Sequence, residues 1–275
     1  MPPNLCTSEL QPFMKTICIV VFALFLCSVQ AAANKVDSLK TVLKSLPEDT
    51  VKVNTLLEIS SLLWRSVPDS AILYASRASD LAEKTGFPAG KALALKNIGL
   101  AYYVKGDYLN VLNFWQQSLD AYRSISDKVG IGNLLSNIGA VYFNQGDDPK
   151  ALEYYLESLR VSEETGNKLR IATALTNIGA VYFNKKATYD KAGEYYLRAL
   201  EMAEASENLD AIGVSSVNLG EIYMERGDHT AALQFFEKAL TALKKTGGNE
   251  SFVYTNIGKS YRLRGRYEEA LKYQQ

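Results

Sequence analysis

The octapeptide NIGAVYFN at Asn137–Asn144 returns unchanged at Asn177–Asn184, forty residues on. Self-similarity at a fixed period decides the whole fold, because each copy must be one structural unit stacked on the next. Related stretches widen the series: NIGLAYY begins at Asn97, NLGEIYM at Asn218 and NIGKSYR at Asn256. Their glycines, Gly99, Gly139, Gly179, Gly220 and Gly258, stand 40, 40, 41 and 38 residues apart. A weaker copy, LLEISSLLW at Leu56–Trp64, extends the series towards the N-terminus with Ser60 in the glycine position. One repeated architecture therefore occupies most of the 275 residues.

Within each copy, apolar residues recur at helical spacing: Leu135, Ile138 and Tyr142, and again Leu175, Ile178 and Tyr182. A turn follows, then a second apolar helix with Ala151, Tyr155 and Ser158. The turn glycines Gly106, Gly146, Gly227 and Gly265 suit the left-handed residue that ends a helix. An aspartate follows three of them and suits the N-cap of the next helix. Each repeat is thus predicted to be a pair of antiparallel helices. The core glycine and the small residue twelve or thirteen further on (Ala151, Ala192, Ala232, Ala270) are predicted to let the two backbones approach closely.

These residues resemble the tetratricopeptide repeat: Leu-x-x-Ile-Gly-x-x-Tyr, then Ala-x-x-x-Tyr with a small residue three later. The resemblance covers roughly residues 50–275 and implies an all-α fold, a right-handed superhelical α-solenoid of antiparallel helix pairs. About six repeats are expected there, the last incomplete, preceded by a capping helix over residues 34–49. The ordinary repeat has about 34 residues, whereas these have forty, and the six extra are expected between one repeat's second helix and the next repeat's first. No proline closes the repeats; TGN or SEN stands there instead. The fourth repeat lacks its turn glycine and gains a residue in KKATYDKA, so a locally deformed turn is expected.

Thirty basic and thirty acidic residues leave no net charge, so nothing points to nucleic acid or an anionic membrane as partner. The three cysteines, Cys6, Cys18 and Cys27, precede the repeats, which excludes disulfides and zinc clusters from the repeat region. The apolar run Thr16–Val29 follows Met14–Lys15 and leads into Ala31–Ala33, the layout of a signal peptide over residues 1–33. At fourteen residues it is shorter than the about 20 that a membrane span needs. Export with cleavage near Ala33 is expected, with Met14 as an alternative start. Lipidation at Cys27 and a retained anchor are the competing readings, although Leu26 is bulky for a lipidation site. A periplasmic, extracytoplasmic location follows from either cleavage or anchoring.

The signal peptide, the VDSLKTVLKSLPED opening and the YxxSL second helices are similar to the sensor regions of bacterial tetratricopeptide histidine kinases and related regulators. That resemblance implies an output domain beyond Gln275, and no polar capping helix closes the last repeat. A free-standing periplasmic scaffold is the alternative.

Convergent catalytic groups are not evident, and no enzymatic activity or cofactor is expected. The single histidine, His229, follows Gly-Asp and reads as a solvated loop residue. Gly130 and Gly132 in DKVGIG lack a phosphate-loop lysine and are placed in an inter-repeat turn. Metal ligands do not cluster either.

Asn97, Asn137, Asn177, Asn218 and Asn256 each precede the core glycine by two. Asparagine costs a helix about half a kcal/mol relative to alanine, yet its amide can pair with both groups of a peptide backbone. In the family this position lies on the concave face, and O-GlcNAc transferase and kinesin light chain hold extended peptides with such ladders; the resemblance implies the same here. Neighbouring positions have diverged while the asparagine has not: Asn144 and Asn184 are polar, Glu221 and Glu225 acidic, and Lys259 and Arg262 basic. A protein or extended peptide is the expected partner, on Asn97, Asn137, Asn177, Asn218, Asn256, Asn144, Asn184, Glu221 and Lys259. A ladder that only bonds adjacent helices to each other is the competing reading.

Overall fold

The computed structural model describes residues 34–273; residues 1–33, with the three cysteines and the expected signal peptide, and the last two glutamines lie outside them. Every regular element among the described residues is helical. The chain divides into two compact units, through Ser118 and from Leu119 onwards.

The first unit opens with helix α1 (34–43), whose Val36 and Leu43 are buried against α2 (Thr50–Leu63) and α3 (Pro68–Lys84). Asp49 caps α2 by accepting from the backbone N–H groups of Val51 and Lys52. Next come α4 (Pro88–Val104) and the start of α5 (Tyr108–Ser124). Serine hydroxyls stitch paired helices where a small residue lets them approach: Ser60 donates to the Ala71 carbonyl at 2.9 Å and Ser118 to Ala92 at 2.7 Å.

The second unit continues as α6 (Lys128–Asn144), α7 (Asp148–Thr165), α8 (Lys168–Phe183), α9 (Tyr189–Ala205), α10 (Leu209–Glu225), α11 (His229–Thr246), α12 (Ser251–Leu263) and α13 (Tyr267–Lys272). The capping chemistry written in the sequence sets these boundaries. Asp127, Asp147, Asn167, Asn208 and Asp228 each accept from the backbone N–H three residues on. The turn glycines Gly146, Gly227 and Gly265 take φ of 77°, 79° and 72°, the left-handed region that ends a helix. In the fourth repeat, where no glycine is available, a 3-10 turn over Lys186–Thr188 replaces it, and the Thr188 hydroxyl donates to the Tyr182 carbonyl.

Two expectations are corrected. The residues beyond the ordinary repeat length do not form a loop. They lengthen the helices, so that only Gly166 and Asn167 separate α7 from α8. Buried Val161 and Ala172 continue the apolar stripe through both ends, which is why the added residues stay helical. For the same reason Gly130 and Gly132 belong to the first turns of α6, where Gly130 lies against the Tyr122 ring.

What fills the space beside four of the five core glycines is a ring rather than a backbone. A Cβ on Gly139 would stand 2.7 Å from Tyr155, on Gly179 2.5 Å from Tyr196, and on Gly220 2.5 Å from Phe236. In the first unit Gly99 meets Trp115 in the same way. A second aromatic contact recurs beside it. Tyr142 stacks on Tyr154, Tyr182 on Tyr195 and Tyr223 on Phe235, with centroids 5.5, 5.5 and 5.3 Å apart. Lys150, Lys191 and Arg226 lie over the tyrosine rings of these pairs. Such aromatic pairs contribute about 0.5–1.5 kcal/mol each beyond the area they bury.

Candidate functional site

The first helices of the second unit, α6, α8, α10 and α12, pack as successive neighbours on one side of the repeats. Asn137, Asn177 and Asn218 lie at one register position on α6, α8 and α10, each half-buried. Among the described residues their side-chain amides have no hydrogen-bond partner, while Asn256 on α12 is buried with its Nδ2 unpartnered. The three half-buried amides reach solvent, so a ligand that offers a donor and an acceptor together can take the place of water on them. In the first unit Asn97 behaves differently: it is 5% exposed, and its Nδ2 donates to the Leu57 carbonyl of α2 at 3.5 Å. At that step the ladder bonds one first helix to another.

A groove of about 460 Å³ opens between α8 and α10. Asn177 lines it together with Ala172, Thr176, Val214 and Ser215, so one ladder amide borders an accessible, largely aliphatic space. Ser215 is itself buried, which fixes the α10 wall.

The flanking residues are less uniform than their spacing suggests. Asn144 and Asn184 are exposed at the C-terminal ends of α6 and α8. They stand seven residues, two helical turns, beyond Asn137 and Asn177 and so on the same helix faces. Asn184 is engaged with α7, donating to Asp148 Oδ1 at 3.5 Å. Glu221 and Lys259 are half-buried and form no ion pair with each other among the described residues. Burial raises the Glu221 carboxyl above its ordinary range; the attraction of Lys259 lowers it, and the neighbouring Glu225 raises it again. Lys96, beside Asn97, is likewise held below the usual lysine range by burial.

The raised Glu221 carboxyl gives a pH prediction. It binds its proton more firmly folded than unfolded, so its contribution to stability falls as pH rises from the ordinary carboxylate range through the folded-state value. Glu221→Gln should therefore stabilise the chain at about pH 7 by up to about 1 kcal/mol, the half-exposed carboxylate being partly screened. The gain should vanish in acid, where the parent is protonated too. Urea midpoints of parent and variant measured across that range check it, and a gain that grows towards acid contradicts it.

His229 is the first residue of α11 rather than a loop residue, half-buried with Nδ1 unpartnered among the described residues. Capping by Asp228 draws it into the helix. No group of three or more histidine, cysteine, aspartate or glutamate side chains among the described residues could hold a metal ion. None of the described helices is long and apolar enough to cross a membrane.

Sequence spacing placed the asparagines but missed the groove. It depends on what α10 lacks relative to α8, a difference visible only once the two helices are aligned on their caps.

The family model described as tetratricopeptide repeat matches residues 90–164, 130–205, 170–245 and 211–275. No curated protein matches the chain in sequence. Among solved structures, the chain is similar to the signal transduction ATPase with a tetratricopeptide repeat sensor from Pyrococcus horikoshii. Identity is 18% and the TM-score 0.74, over 90% of this chain and 40% of that one. It is similar to BtubC (BKLC) from P. vanneervenii at 20% identity and a TM-score of 0.66, over 76% of this chain and 88% of that one. The apo form of the quorum sensor NprR from B. thuringiensis resembles it at 18% identity and a TM-score of 0.62, over 97% and 89%.

Proposed function

The chain belongs to the tetratricopeptide repeat family, and from that premise we infer that it is a protein-interaction module whose first-helix face in the second unit grips an extended polypeptide. The observation that carries this is the set of half-buried, unpartnered amides of Asn137, Asn177 and Asn218 at one register position. Neighbouring helices pack about 8–10 Å apart, and an extended chain rises about 3.3 Å per residue. Successive asparagines therefore meet a ligand backbone at roughly every third residue. That pairing gives affinity with little sequence preference, and the divergent neighbours supply selectivity.

The physiological role is that of an extracytoplasmic sensor in a bacterial signalling protein, delivered by the segment 1–33. Sensing is in keeping with two of the similar structures, one described as carrying a tetratricopeptide repeat sensor and the other as a quorum sensor. A structural ladder is the second reading, favoured at one step by the bond from Asn97 to Leu57.

The test is side-chain amide NMR on the labelled chain, titrated with a peptide selected from a random dodecapeptide library. The Nδ2 resonances of Asn137, Asn177 and Asn218 should shift, while those of exposed Asn113 and Asn249 stay in place. Shifts confined to the second helices would contradict the assignment of the face.

A further inference from the structure

Resting on that reading of the first-helix face, we propose that the gap between α8 and α10 is a subsite for one basic side chain, arginine or lysine, of the bound polypeptide. The chain supplies its own template one repeat earlier. Counted from the N-caps Asp127, Asn167 and Asn208, α6 and α8 run in register with an offset of 40, and α8 and α10 with an offset of 41. Between α6 and α8, Arg170 reaches across and donates through Nη1 to Oδ1 of Asn133. A guanidinium of the chain itself bridges that step.

At the next step the same register puts Ala211 where Arg170 stands and Thr173 where Asn133 stands, and both line the open groove. The exchange of arginine for alanine removes a whole side chain and leaves the space open. Leu169 and Val214 offer an aliphatic wall to a methylene stem, and Asp210 at the edge offers a counter-charge to its head. The Thr173 hydroxyl donates to the Leu169 carbonyl at 2.9 Å, which leaves its oxygen free to accept.

Charge decides which occupant fits. Helix α10 carries no basic residue, and of its acidic residues Asp210 alone lines the groove, Glu221 and Glu225 standing about three and four turns further on. None of these carboxylates forms an ion pair among the described residues. Lys259 acts on Glu221 from α12, and Lys168 at the start of α8 is engaged with the Ala205 carbonyl at 3.1 Å. A ligand cation complements this wall; a ligand carboxylate is repelled by it.

The experiment uses the full chain and acetylated alanine–serine decapeptides carrying arginine, lysine, leucine or glutamate at one central position, read by fluorescence polarisation. The parent should prefer the arginine and lysine peptides over the leucine peptide by about fivefold, the reach of an ion pair at a groove rim. Asp210→Asn should level the basic peptides with the leucine peptide and leave the latter unchanged. Ala211→Arg should abolish the preference by filling the gap with the chain's own guanidinium, with circular dichroism confirming the fold. A parent without the preference, or a preference that survives both variants, overturns the subsite and leaves the backbone-gripping face standing. If no decapeptide binds the parent, or all bind the combined Asn137, Asn177 and Asn218 alanine variant as tightly, the reading of the face is wrong and the subsite falls with it.

Discussion

Phe236→Ala should lower the stability of the second unit by about 3–5 kcal/mol, the range for removing a large ring from a sealed core. Phe236 is fully buried. Its ring edge occupies the place that a side chain on Gly220 would take, and Ala232, Ala239, Val253 and Ile257 belong to the same core cluster. Those residues come from α11 and α12, so the loss weakens both the helix pair and its junction with the next repeat. In a solenoid each repeat contacts only its neighbours, and no distant core compensates. The ring also explains the glycine. Gly220→Ala is expected to destabilise the parent, with a Cβ 2.5 Å from the ring, but to cost far less once Phe236 is alanine. Urea unfolding of the four proteins of this cycle measures the coupling. Additive single effects would contradict the packing of ring on glycine.

The helix pairs were legible because the sequence states them locally. A glycine with positive φ can be read from Asn-Gln-Gly-Asp without knowing what it packs against, and so can the aspartate that caps the following helix. The partner of the core glycine was harder to read because the contact is tertiary. The signal exists, an aromatic residue sixteen or seventeen positions after four of the five core glycines, at Trp115, Tyr155, Tyr196 and Phe236. The length of the helices was misread for a related reason. Thr165-Gly166-Asn167 looks like a loop by composition, yet a left-handed glycine and an asparagine cap need only two residues to turn the chain.

For the site, periodicity placed the five asparagines correctly on the first helices but could not separate their surroundings. Asn97 and Asn256 are buried and Asn137, Asn177 and Asn218 half-buried, a difference set by tertiary packing that the spacing does not carry. Asn184 donates to Asp148 across to the second helix, a bond that the repeated octapeptide does not reveal. Arg170 and Ala211 are the clearest case. Neither is notable alone, and only the cap-aligned register of α8 and α10 shows that one fills a gap the other leaves open.

The central claim is that unpartnered amides on α6, α8 and α10 hold a polypeptide backbone. Replacing Asn137, Asn177 and Asn218 together by alanine removes three sets of backbone hydrogen bonds, each contributing about 1 kcal/mol. Their sum corresponds to about a hundredfold loss of affinity. Alanine is the better helix former, and none of the three amides has a partner within the described chain to lose, so the helical circular-dichroism signal should be unchanged. The measurement is the dissociation constant of a library-selected peptide for the parent and for this triple variant, side by side. A hundredfold weakening with the fold intact is the predicted result; an equal dissociation constant for the two proteins would contradict the account.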